Sequence, residues 1–328
     1  MPPDPENGQI SESGASQKER HQNAAWPSEI TFRGWKALLM RVWQQMQEDR
    51  ISLVAAGTTF YLLLALFPAL AAFVSVYGFV ADPTTVADQI AFLGGLLPNA
   101  GLELIRSQLE SLASQDVNAL TFGFALSLLT ALWSANNGIK TLFQALNIAY
   151  EEREKRSFIR LNLVAFTFTL GAMLVATFMV TAVGVVPTVL ALLSLDGHSE
   201  MIISLLRWPA ILASIAVAIS VLYRYGPSRS PAKWRWISWG AALVTVVWTA
   251  ASAGFSFYLQ NFADYNATYG SLGAVMGLML WTWISVLILI IGAELNAEME
   301  HQTEIDSTTG EPQPMGERGA VVADNLAD

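Results

Sequence analysis

Residues 122–138 read FGFALSLLTALWSANNG. The stretch from Phe122 to Ala131 is almost entirely apolar, and then a serine, two adjacent asparagines and a glycine follow. Whether such groups can stand in such a run depends on the solvent around the segment. The 328-residue chain is 53% hydrophobic and only 14% charged, against about 25% charged in soluble domains. Its apolar residues are also gathered into long runs. Both features point to an integral membrane protein, in which backbone and amide groups must be satisfied by other helices or by water.

Six runs reach the roughly 20 apolar residues that a membrane-spanning helix needs: 51–80, 119–146, 161–193, 203–224, 236–260 and 271–295. The third is long enough to tilt, or to break near Gly184 and Pro187. The fold expected is all-α: a polytopic membrane protein with six transmembrane helices, an N-terminal amphipathic helix and short amphipathic helices in the first outer loop. The N-terminal helix is expected in 30–47. There Trp35, Leu38, Leu39, Val42, Trp43 and Met46 share one face, with Arg33, Lys36 and Arg41 off it. It suits either the membrane surface or packing on the bundle. In the loop 82–117, Asp82-Pro83 starts a helix and Pro98-Asn99 separates it from a second. Residues 1–28 and 301–328 are polar and acidic enough to be expected as disordered tails, leaving 29–300 as the membrane domain.

Basic residues alternate from loop to loop. Arg33, Lys36, Arg41 and Arg50 precede the first run; Arg153, Lys155, Arg156 and Arg160 follow the second; Arg224, Arg229, Lys233 and Arg235 follow the fourth. The intervening loops carry almost none. By the positive-inside rule both termini are cytoplasmic. The net charge of −9 reflects the acidic tails, and no nucleic-acid partner is expected. With no cysteine, disulfides and thiol chemistry are excluded. His21, His198 and His301 lie apart in tails and an outer loop, so no acid–base pair is placed, and no phosphate-binding glycine loop appears. No catalytic residue, metal site or cofactor is assigned.

The candidate site is polar. Asn136 and Asn137 lie roughly 15 Å from the cytoplasmic end of their run at 1.5 Å per residue, with Ser134 close by. Thr58, Thr59 and Tyr61 of the first run, and Glu294 and Asn296 of the last, occupy the same cytoplasmic half. Two readings stand. These groups line a polar cavity on a substrate path, or they are interhelical glue worth about 0.6 kcal/mol per contact. Glu294 is the most informative of them, since a carboxylate near a helix C-terminus opposes the helix dipole and asks for a partner. Pro68 is expected to kink the first run. Gly270, Gly273 and Gly277 offer a smooth face for helix packing, and Tyr269 suits an interfacial anchor.

The segments FYLLLALFP (60–68), LWSANNG (132–138), ALNIAY (145–150), YGSLGAV (269–275) and GAELNAE (292–298) resemble the YihY/BrkB family of bacterial inner-membrane proteins, in order and over roughly residues 35–300. The resemblance implies a bacterial inner-membrane location, membrane lipids as surroundings, and transport, or assistance to transport, of a lipid-like or envelope-related substrate. The alternative it leaves is a non-transporting scaffold or envelope-assembly factor. The family's names imply a virulence factor. An older ribonuclease BN label in it is widely regarded as a misassignment, and the present chain is not expected to be an enzyme. Ala65 stands where many members have serine before Leu-Phe-Pro, which weakens a role for a hydroxyl there. No oligomeric state follows from the sequence.

Overall fold

The computed structural model describes residues 32–77, 122–182, 197–261 and 272–326. They form eight helices: α1 Phe32–Glu48, α2 Ile51–Tyr77, α3 Phe122–Ala149, α4 Phe158–Val180, α5 Gly197–Tyr225, α6 Trp234–Asn261, α7 Gly273–His301 and the single turn α8 Val321–Asp324. Among the described residues there is no strand, only an isolated bridge between Ala232 and Thr308. A helix occupies each of the six apolar runs. Four of these, in α4 to α7, are long and apolar enough to cross a membrane, or five spans if α1 and α2, bent by 61° at Asp49-Arg50, count as one. The loop 82–117, the Gly184–Pro187 break, Tyr269, Gly270 and the N-terminal tail lie outside the described residues.

Helix α7 is the hub, packing against α1, α2, α3 and α6, while α5 joins α6 to α4. The core is made of small and aliphatic residues, among them Ala55, Leu146, Ile237, Ile290 and Ala293. Two glycines set its tightest approaches. A methyl group on Gly292 would come within 2.1 Å of the Val244 side chain and 2.6 Å of the Tyr223 hydroxyl, and that hydroxyl donates to the Leu289 carbonyl at 2.6 Å. A methyl group on Gly138 would meet the Ala65 side chain at 3.0 Å. The glycine of LWSANNG therefore serves the packing of α3 on α2, and Ala65 is its contact. Helix α2 continues through Pro68 to Tyr77, and Gly273 and Gly277 are both buried.

The stripe expected along α1 divides in two. Leu38 and Val42 are buried against Trp236, Leu295 and Met299, with Trp35 and Met46 alongside. Leu39, Met40 and Trp43 are exposed on the other side. The helix thus packs on the bundle and offers an apolar edge outward.

Residues 302–326 depart from the disordered tail expected of them. They fold over the ends of the helices. Asp306 accepts from the Thr308 N–H (2.8 Å) and hydroxyl (2.7 Å) and from the Gln313 N–H (3.0 Å). Asp324 accepts from the N–H groups of Gly316, Arg318 and Gly319 at 2.8, 2.9 and 3.1 Å. Gly316 and Gly319 hold φ of +93° and +73°, a region glycine enters without steric cost. Arg318 is buried and donates to the Ala323 and Gln313 carbonyls. Composition alone predicts disorder because it does not count such charge-to-backbone bonds.

Candidate functional site

The basic loops meet at one end of the bundle. Arg156, in the α3–α4 connection, donates to the Tyr225 and Gly226 carbonyls at the end of α5 (3.3 and 2.8 Å) and clasps Glu154 with two 2.7 Å bonds. Burial alone would raise the Glu154 carboxyl, but the bonds and charge of Arg156, helped by Asn147, bring it down to about 2. Asn147 of ALNIAY ties the same loops together, accepting from the Ser228 N–H (2.7 Å) and donating to Glu154 (3.1 Å). Arg229 forms a buried bidentate pair with Glu300 (2.6 and 3.3 Å) and lies over the Tyr150 ring. This convergence is what the Lys/Arg alternation demands of loops sharing one side.

The expected polar set is only partly brought together. Asn136 is buried, and its amide donates to Asn162 of α4 at 3.1 Å. Asn137 is exposed, and Ser134 is half-buried. Asn296 is fully buried and accepts from the Gly240 N–H at 3.2 Å; a methyl group on Gly240 would come within 2.2 Å of it. Thr58 and Thr59 are buried in α2. Tyr61 is 52% exposed and stacks edge-on against Phe60. The buried stripe of α2 runs Ile51, Ala55, Thr58 and Ala65 with Leu62 half-buried in it, and Tyr61 lies just past its rim.

Glu294 is 1% exposed. The group that meets it is the carboxyl of Asp49, at the bend between α1 and α2, not an asparagine or threonine of α2 or α3. Two carboxyl groups that face each other disfavour carrying a negative charge each. Gln45 also donates to Asp49 at 3.3 Å. Burial pushes the Asp49 carboxyl up, and the bonds from Gln45 and Glu294 pull it partly back. The bend itself is marked by Arg50, whose φ of +50° is unusual for a residue with a side chain. One Glu294 oxygen, the Thr59 hydroxyl and the Asn136 carbonyl are buried with no hydrogen-bond partner, which in a well-packed protein asks for an explanation.

Two participants are missing from the sequence-level set. Asp49 falls at a helix junction, where a carboxylate reads as an ordinary solvated end. Lys140 lies within the second apolar run, and its charge there is the signal that identifies it. Its amine donates to the Asn162 carbonyl oxygen at 2.9 Å and lies 5.3 Å from the centre of the Trp133 ring.

An all-helical chain with several membrane-crossing helices and its basic loops at one end defines a polytopic membrane protein. The chain belongs to the virulence factor BrkB family, whose model matches residues 42–316. It is 30% identical over 257 residues to a putative ribonuclease-like protein, YfkH, of Bacillus subtilis, covering 76% of this chain and 90% of the relative. It is 27% identical over 263 residues to a UPF0761 membrane protein of Vibrio vulnificus, covering 78% and 81%. A UPF0761 membrane protein of Vibrio campbellii is 26% identical over 279 residues, covering 83% and 85%. No solved structure matches the chain.

Proposed function

We propose that this BrkB-family membrane protein has six spans with both termini cytoplasmic in a bacterial inner membrane, and that it moves, or helps to move, a lipid-like or envelope-related substrate. The observation that carries the reading is that Glu294 of α7, Thr59 of α2 and Asn136 of α3 are among the buried side chains with a polar atom that no partner meets. An ionisable group inside a membrane segment, as Glu294 is, commonly marks a substrate or proton path. The facing carboxyls of Asp49 and Glu294 supply a pair able to change charge next to a bend. In this reading the protein is not an enzyme, and among the described residues Arg156 and Arg229 are engaged in holding the loops together.

The second reading, a non-transporting scaffold, is favoured by the Asn136–Asn162 and Asn296–Gly240 bonds, which make those amides interhelical glue. Profiling of lipids and envelope precursors in a deletion strain, complemented by the native chain or by Glu294→Gln, separates the two. Transport requires that a precursor accumulate on deletion and that only the native chain clear it. Full complementation by the variant, or no accumulating species, would leave the scaffold.

A further inference from the structure

One face of α3 is polar where a membrane helix should be apolar. Trp133, Asn137, Lys140 and Gln144 follow at i, i+4, i+7 and i+11, and so stand in one row. Trp133, Asn137 and Gln144 are exposed, and Lys140 is half-buried. Around this row the outward surface is greasy: Leu129 and Ile148 lie on the same helix, and Phe158, Leu163 and Phe166 on α4. Lys140 makes an amine–amide bond to Asn162 and a contact with the Trp133 ring. Among the described residues no carboxylate lies within ion-pair distance of it.

The position of the amine is well defined. Asn162 spans the α3–α4 seam, accepting from Asn136 and Lys140 through one oxygen and donating to the Phe158 carbonyl at 2.8 Å. It lies just over one turn beyond Ser157, the capping residue at the start of α4. The lysine charge is therefore held near the level where α4 leaves the cytoplasmic loop, beside lipid and short of open water. That is the depth of the inner-leaflet headgroups. An ammonium at this depth with no acid opposite it is complementary to an anion, and the anion that the surrounding apolar surface suits is a phosphate carrying acyl chains.

We infer that the Trp133–Asn137–Lys140–Gln144 row is a binding site for the phosphate headgroup of an anionic lipid of the cytoplasmic leaflet. Lys140 supplies the charge, Asn137 and Gln144 flank it with amide donors, and Trp133 borders the acyl chains. The inference rests on the membrane orientation proposed above and deepens the lipid-like substrate class to an anionic one, but it concerns binding and does not require transport.

Native mass spectrometry of the full chain from mixed phosphatidylglycerol and phosphatidylcholine micelles tests it. The native protein should retain phosphatidylglycerol in preference. Lys140→Gln should lower that retention about fivefold, the worth of one basic residue near an anionic surface, and leave phosphatidylcholine unchanged. Lys140→Arg should keep it, and melting of both variants near the native temperature confirms that they fold. Asn137→Leu provides a neutral second variant with a smaller loss. Equal retention by native and Lys140→Gln chains would overturn the inference. Displacement of the lipid by inorganic phosphate alone would reassign the site to a free anion. A changed oligomeric state with unchanged lipid retention would assign the face to a second copy of the chain. Absence of transport with lysine-dependent lipid binding would defeat the proposed function and leave this site standing.

Discussion

Arg229→Met tests the lock between the inner loops and the C-terminal segment. The guanidinium and the Glu300 carboxylate are 2% and 0% exposed at 2.6 Å separation, and the Ser307 hydroxyl donates to the same Glu300 oxygen at 2.6 Å. Burial alone would push the Arg229 guanidinium down, and the Glu300 charge and bonds more than offset this. Removing the arginine leaves a buried carboxylate with a single hydroxyl donor. Loss of one partner of a buried pair costs about 3–5 kcal/mol. Against a total of about 5–15 kcal/mol for a folded domain, that is a large fraction. Glu300→Met should cost a similar amount for the opposite reason. The double variant removes both charges together, and two methionines fill comparable volume, so its cost should fall to about 1 kcal/mol, mainly the unpaired Ser307 hydroxyl. Unfolding of the three variants and the native chain in detergent, run as a double-mutant cycle, gives the coupling directly. A cost under about 1 kcal/mol for Arg229→Met, or a double variant as costly as the sum of the singles, would show that the pair is not buried as described.

Reporter fusions after Tyr150 and after Pro227 should read cytoplasmic, and fusions near Gln108 and Asp264 external; a cytoplasmic signal at Gln108 breaks the six-span topology. The purified protein should not cleave RNA, and a co-purifying activity abolished by a single-residue variant would contradict that. Glu294→Gln should keep normal abundance while reducing function, because the amide keeps the shape of the side chain but cannot change charge. Glu294→Leu should lower abundance by stranding Asp49, at about 1–3 kcal/mol, and equal behaviour of the two variants would remove the special role of the carboxyl. Gly292→Ala should destabilise the bundle by about 1–3 kcal/mol through overpacking, with unfolding in detergent as the readout. An unchanged midpoint would mean that the α6–α7 approach is looser than the 2.1 Å contact implies.

The helices were legible because a bilayer leaves a chain few options: a run of about 20 apolar residues must hide its own backbone polar groups. Each of the six runs holds a helix for that reason, with ends shifted by a few residues where polar groups extend it, as at Asn147 and His301. The burial of Glu294 was legible from its place at the end of an apolar run. Its partner was not, because Asp49 is distant in sequence and reaches α7 only through the 61° bend. The direction in which Tyr61 points was not legible, because depth along a helix says nothing about direction around it. Residues 302–326 were misread because their order comes from bonds to distant loops, such as Val321 N–H to Glu152 and Ser230 N–H to Gly319, which no local composition encodes.

The C-terminal segment also places a condition on biosynthesis. It leaves the ribosome after α1 to α7, yet it supplies groups that complete earlier parts of the chain. Ser307 completes Glu300, the Val321 N–H satisfies the buried Glu152, and the Ser307 carbonyl receives the Lys233 N–H at 2.7 Å. A chain arrested before residue 307 would leave these polar groups without those partners.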